Sequence, residues 1–287
     1  MLFTDFLFSF IQSLKIDLAK KKYYRVFKKL LYYPYKFLLD KIRQTFLIKK
    51  NDLDKNLKLR ILKNMKLDEL FLEFNADKGS KFKMNKRLIS SHNYTPFYEK
   101  YFSNYKNKSQ LKVLEVGSLR GGATASFFYY FNNPEIFCAD INPFQIEVFS
   151  KKIRKLFVDT QSKKSISSLS SFIGEEFDII IDDGSHNIKD QIVTLNILFK
   201  NLKRNGIYVI EDASQYVASK NLNQDNLDYG AKEILFSIIK NYNLKIKYLL
   251  QDDEKKLRNE IKNLHIENGN YILNKINISE IIFIEKC

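Results

Sequence analysis

Cysteine, histidine and long apolar runs are all scarce in this chain of 287 residues. The two cysteines, Cys138 and Cys287, stand far apart, and only three histidines accompany them. A disulfide framework and a zinc cluster are thereby excluded, and a reducing compartment fits. No stretch approaches the roughly 18 apolar residues that span a membrane. The apolar start from Phe6 to Leu14 is shorter and follows Asp5 where a signal peptide would be basic, so no cleaved signal is expected. Tryptophan is absent, and there are no internal repeats.

What is present is an ordinary globular balance, 45% hydrophobic and 28% charged, enough for one α/β domain with an extension. The net charge of +15 points to nucleic acid until it is located. Residues 1–66 carry 17 Lys/Arg against 5 Asp/Glu, whereas residues 67–287 carry 31 against 28. A nucleic-acid enzyme concentrates basic surface around its site, so no nucleic-acid partner is expected.

Residues 1–66 read as a basic amphipathic helical extension, with aromatics and lysines interleaved through Tyr23, Tyr24, Arg25, Val26, Phe27, Lys28 and Lys29. Pro34 should break or kink this run. One reading lays residues 1–60 on an anionic membrane surface. The other, favoured because amphipathic helices usually face protein, packs the arm on its own domain or on a second subunit of a homo-oligomer. The localisation expected is cytoplasmic, with the inner face of the membrane as the place of any peripheral contact.

Residues 67–110 read as a connecting, cofactor-lid region interrupted by Asp77-Lys78-Gly79-Ser80. Residues 111–287 read as the catalytic domain. Strands are expected at 111–116, 135–140, 177–182 and 206–210, with a short one at 156–159 and later ones at 245–250 and 280–285. Helices are expected at 124–131, 144–155 and 189–202, and a serine-rich loop at 161–171. His265 falls in a charged stretch read as a helical surface. This alternation predicts a Rossmann-like α/β fold, a mostly parallel sheet with an antiparallel closing strand.

The segment from Leu111 to Gly122 is a buried strand entering a glycine turn and a helix. Gly117 permits the tight turn, and Gly121 and Gly122 are read as letting a ligand approach the backbone. Asp140 ends the next strand, placed to accept from ribose hydroxyls. The spacing Glu115-x-Gly117-x-x-x-Gly121 differs from the dinucleotide pattern and puts a carboxylate where a methionine amine could be met. S-adenosylmethionine is therefore favoured over NAD. Ser118 and Arg120 belong to the same turn, and Asp159 and Gln161 sit where polar groups could reach an adenine edge.

A second set closes the strand at 177–182: Asp182 and Asp183, then His186. The following strand ends in Glu211 and Asp212. Carboxylates converging beside the crevice repel unless a cation neutralises them, and an all-oxygen set suits Mg²⁺. A cation there lowers the pKa of an acceptor hydroxyl, and His186 could take its proton.

Glu115-x-Gly117, Asp140, the block from Asp182 to His186 and Glu211-Asp212 together resemble the metal-dependent sugar O-methyltransferases. The segment from Asp77 to Ser80 and the one from His92 to Tyr98 are similar to that family's lead into the fold. The resemblance covers about residues 70–287. It implies Mg²⁺ held by Asp183, Glu211 and Asp212, with His186 as general base and Asp182 beside the cofactor. It also implies that Tyr94 helps cover the cofactor, while His92 reads as either a site residue or a structural one. The expected reaction is methylation of a sugar hydroxyl of a glycan or glycoside, in a setting such as polysaccharide biosynthesis. Two rivals stand beside it: a Mg²⁺-dependent methyltransferase of a small phenol or amine, and a non-catalytic partner in a glycan assembly complex.

Overall fold

The computed structural model describes residues 1–46, 51–56, 59–174, 176–223, 225, 227–242, 244, 246–273 and 275–287. Two helices open the chain, α1 (Phe3–Ala19) and α2 (Tyr23–Phe46). Short helices α3 (Leu59–Leu62) and α4 (Leu67–Glu73) lead to a hairpin of β1 (Lys81–Met84) and β2 (Arg87–Ser90), then α5 (Thr95–Phe102). The main sheet begins as β3 (Lys112–Val116), α6 (Gly122–Tyr130), β4 (Glu135–Asp140) and β5 (Ile153–Phe157). It continues as α7 (Lys163–Ile173), β6 (Phe177–Asp182), α8 (Ile188–Leu198) and β7 (Leu202–Ile210). A turn of helix α9 (Gln215–Ala218), then α10 (Ala231–Lys240) and α11 (Gln251–Glu260), precede β8 (Ile261–Asn268). A small pair, β9 (Ile272–Leu273) and β10 (Ile276–Asn277), leads to the closing strand β11 (Glu280–Lys286).

Among the described residues the main sheet has the order β5-β4-β3-β6-β7-β11-β8. Its first five strands are parallel, and β11 runs antiparallel to both β7 and β8. The Rossmann-like sheet with an antiparallel closing strand is thus as the sequence predicts. Period-two alternation divides its side chains between two cores. Leu114, Val116, Ile180, Tyr208 and Ile210 face α7, α8 and α10, while Val113, Ile179, Ile181, Val209 and Phe283 face α4, α5 and α6. Strand β6 is buried along its whole length, as parallel strands covered on both faces are. The strand order reverses at β3, which puts the crevice of such sheets beyond the ends of β3 and β6, where Val116 pairs with Asp182.

Several elements depart from the sequence reading. The helix expected at 144–155 is a single turn at Pro143–Gln145 followed by extended chain. There Phe149 exchanges backbone hydrogen bonds with Asn51 and Leu53, and this pairing replaces helical bonding. The short strand expected at 156–159 is β5, three residues earlier in its start. The serine-rich stretch is not a loop but α7, capped by Ser162, with Ile166, Leu169 and Ile173 buried at helical spacing. In the candidate strand 245–250, Lys245 lies outside the described residues, and Ile246 to Leu250 are not a strand but irregular chain with a turn at Lys247 and Tyr248. His265 lies on β8, opposite Phe283, because Ile261, Leu264 and Ile266 find apolar cover while the charged side chains line a sheet edge. Pro34 does not end α2, which runs on to Phe46. The proline is exposed, so the Leu30 carbonyl that loses its partner can turn to water.

Helix α1 covers the β5 edge of the sheet. The Phe157 amide donates to Ser9 Oγ at 3.0 Å, and the Arg154 guanidinium meets Asp5 at 2.8 Å. Behind β5 the ammonium of Lys155 is buried, donating to the Ile146 carbonyl at 2.5 Å and lying over the Phe149 ring. Burial lowers its pKa from the ordinary 10.5 to about 8. The folded value lies below the unfolded one, so the folded state disfavours the charge. Wild-type stability therefore rises as pH climbs from about 8 to about 10.5. Lys155→Met is expected to stabilise the fold at pH 7 by about 2 kcal/mol after loss of the hydrogen bond, the gain fading above pH 10. Denaturant unfolding of both proteins across that pH range measures it.

Candidate functional site

The glycine turn after β3 is built by contacts within the chain. Gly117 has φ +88°, and a Cβ there would lie 1.8 Å from the Asp183 carbonyl oxygen. The loops after β3 and β6 thus touch through backbone alone, and the Asp183 amide donates to the Val116 carbonyl at 2.9 Å. Gly121 (φ +86°) would meet Val148 and Ile146, and Gly122 would meet the Phe74 carbonyl at 2.7 Å. At these two glycines the missing side chain leaves room for the protein's own chain. Leu119 holds φ +46°, a costly conformation for a bulky residue, while its amide donates to Asp140 Oδ2 at 2.9 Å. The other oxygen of Asp140 accepts from the Asn142 amide at 2.7 Å.

The remaining cofactor candidates divide. Glu115 is buried, accepts from the Thr124 hydroxyl, and has its pKa raised by that burial. Ser118 is buried and donates to the Glu115 carbonyl. Arg120 is exposed, 4.0 Å from Glu147, and Gln161 is exposed as well. Asp159 is buried but bonded to Lys20 of α1 at 2.8 Å. Beyond it a cavity of about 610 Å³ opens between the helical pair and the sheet, lined by Asp17, Lys29, Tyr33, Asn142 and Phe157. Asp182 accepts from Tyr208 and from the Gly184 amide, and burial raises its pKa to about 7.

The second set converges as the strand ends predict. Asp183, His186 and Asp212 offer ligand atoms all within 4.8 Å of one another. His186 (φ +56°) sits with Nε2 3.8 Å from Asp183 Oδ1, and its buried Nδ1 has no hydrogen-bond partner. Asp212 (φ +54°) accepts from the Tyr94 hydroxyl at 2.5 Å and lies 3.1 Å from His92 Nδ1. Burial opposes a charge on His92, but Asp212 outweighs it and raises the imidazole pKa. Burial likewise pushes Asp212 up, and the His92 hydrogen bond brings it below the ordinary carboxylate value. Tyr94 is fully buried, so in this structure it supports Asp212 rather than covering a crevice.

Glu211 departs from the expected ligand set. One of its oxygens meets Lys78 Nζ at 2.5 Å and the other accepts from the Tyr98 hydroxyl. The same ammonium lies 2.6 Å from Asp183 Oδ2. Lys78 is 3% exposed. Burial acts against its charge, but Asp183 and Glu211 outweigh that and raise its pKa well above the ordinary value. Burial also raises Glu211 and Asp183.

Sequence reasoning missed Lys78 as a site residue, although the Asp77-Lys78-Gly79-Ser80 block was visible. What places it is tertiary: amides of His92, Asn93 and Tyr94 donate to carbonyls of Asp77, Gly79 and Lys78. Asp68 then ties down Ser80 and Thr95.

A divalent cation fits Asp183 and Asp212, with His186 at hand, because its charge and open coordination suit two carboxylates beside an unpartnered imidazole nitrogen. Glu211 is engaged by an internal cation instead. Lys78→Met should leave buried carboxylates uncompensated and cost about 3–5 kcal/mol of stability. Added Mg²⁺ should raise the melting temperature of Lys78→Met more than that of the wild type, as thermal unfolding with and without the ion will show. Gly117→Ala should fail to fold or lose several kcal/mol, read by the same assay.

A family model described as a methyltransferase domain matches residues 107–263. Demethylmacrocin O-methyltransferase of Streptomyces fradiae is 30% identical over 130 residues, 43% of this chain and 32% of that protein. Mycinamicin VI 2''-O-methyltransferase of Micromonospora griseorubida is 31% identical over 128 residues, 42% of this chain and 31% of that protein. The chain spans about a third of the length of the curated relatives it matches. Among solved structures, the MycE methyltransferase of the mycinamycin pathway, in complex with Mg, SAH and mycinamycin VI, superposes with a TM-score of 0.57. That match is 20% identical and covers 86% of this chain and 62% of the other. The likeness establishes the fold.

Proposed function

The chain belongs to the methyltransferase-domain family, and from that premise we propose that it moves the methyl group of S-adenosylmethionine to a sugar hydroxyl of a glycan or glycoside. The observation that carries this reading is the cluster of Asp183, His186 and Asp212, joined through the Gly117–Asp183 backbone contact to the turn before α6. A donor in the crevice beyond the ends of β3 and β6 would have Asp140, at the neighbouring end of β4, for its ribose. On this reading the adenosine end of the donor would point toward the cavity beyond Asp159. Residues 67–110 then form the wall that carries Lys78, Tyr94 and Tyr98 to the acidic cluster, and 111–287 form the catalytic unit.

Methyl transfer is an in-line displacement: the carbon–sulfur bond breaks as the carbon–oxygen bond forms, and the acceptor hydroxyl gives up its proton. His186 takes that proton on a ring nitrogen. Asp183, 3.8 Å from Nε2, stabilises the imidazolium that results. Tyr94 and His92 fix Asp212, so that the acceptor meets a preorganised acid pair. Mg²⁺ held by Asp183 and Asp212 would supply Lewis acidity toward the acceptor hydroxyl. Relatives named as methyltransferases of rhamnosyl tetracenomycins and of an olivosyl-oleandolide support a sugar hydroxyl over a phenol or amine.

His186→Ala should lower kcat by about 10²–10⁴-fold while calorimetry still records binding of S-adenosylmethionine. Chelation should abolish turnover on glycosides, and full turnover in chelator would sink the metal's part in the reaction. Transfer to catechols but never to sugars would favour the small-phenol alternative.

A further inference from the structure

Helices α1 and α2 pack some apolar residues inward but leave a second set outside, which a helix that merely packs on its domain does not do. Helix α1 buries Asp5, Ser9, Ser13 and Asp17, each four residues from the last, against the sheet edge. It exposes Phe3, Leu7, Ile11 and Leu18. Helix α2 also exposes apolar residues, along a longer stripe. Tyr24, Phe27, Leu31, Tyr35, Leu38 and Ile42 recur every three or four residues, which is one face of a helix. All six are exposed, Tyr24 by 78% and Leu31 by 64%. Its inner side holds Tyr33 and Phe37, packed on Phe6 and Phe144.

Isolated exposed apolar residues are ordinary, but a stripe continuous over a 24-residue helix marks an interaction surface. Its charge selects the partner. From Lys20 to Phe46 there are nine Lys/Arg and one acid, Asp40; Lys20, Lys29 and Lys36 pair with Asp159, Asp17 and Asp40, while Lys21, Lys22, Arg25 and Lys28 are exposed. Two copies of this chain meeting through α2 would oppose like charge with like. An anionic lipid surface answers both features, taking the apolar stripe at the headgroup boundary and the lysines at the phosphates.

We propose that the outward face of the α1–α2 pair docks this protein on an anionic membrane surface. This inference does not depend on the methyl-transfer reading. The pair is fixed to the catalytic unit by Asp5–Arg154 and Lys20–Asp159, so docking would hold the crevice at a set orientation to the lipid. Combined with the methyl-transfer reading, which the docking itself does not need, it would make the sugar acceptor one presented at that surface.

The full chain is sedimented with phosphatidylcholine vesicles and with vesicles that also contain phosphatidylglycerol. Binding to the anionic vesicles should be about tenfold stronger or more, and should fall with added salt. The variant Phe27→Glu/Leu31→Glu/Leu38→Glu should lose that binding while keeping the wild-type melting temperature. If that variant fails to fold, Tyr24→Ser/Tyr35→Ser takes its place. Because the chain has no tryptophan, Phe27→Trp gives a background-free probe whose emission should shift to the blue on anionic vesicles. Unchanged emission, equal recovery of wild type and variant in the supernatant, or a stripe-dependent dimer in vesicle-free buffer would each overturn the proposal.

Discussion

Everything at the crevice depends on how buried negative charge is balanced. Three carboxylates, Asp183, Glu211 and Asp212, come together at the ends of β6 and β7, where water is largely excluded. Lys78 binds two of them and His92 the third. Remove those cations and the site would keep its acids only in protonated form, which cannot grip a metal or steady an imidazolium. The region before the sheet is therefore no mere connector. Its hydrogen bonds, from Asp68 to Ser80 and from the 91–94 segment to the 77–80 loop, exist to deliver one ammonium to one place.

The two halves of the crevice are coupled just as directly. Gly117 and the Asp183 carbonyl are so close that no side chain fits between them. The turn that would hold the donor and the loop that carries the acid–histidine pair are positioned by the same contact. Leu119, His186 and Asp212 all adopt positive φ around it. Strain of this kind persists where the surroundings over-determine the backbone, and here they do so on both sides of the reacting groups.

The helical pair at the start shows a different economy. The face of α1 that caps the edge strand β5 is polar, because the backbone of β5 and the charged Arg154 need partners. Phe6, Tyr33 and Phe37 pack inward beside Phe144, and a second apolar stripe is left outside. One face of the arm packs on its own domain, and the other is the surface on which the membrane proposal rests.

The glycine turn, the parallel strands and the acid–histidine block were legible because each is local. Strand, turn and carboxylate follow one another within about ten residues, and burial of β6 shows as an unbroken apolar run. Elements governed by distant partners were not. The chain at 146–153 takes its extended form from residues 51–53, β8 from β11, and α7 from apolar residues hidden among serines. The sequence by itself determined the fold class and which residues carry charge to the strand ends. Only the tertiary structure decided how that charge is shared, because an ammonium 105 residues away from Asp183 in the chain becomes its partner through packing, which no local pattern encodes.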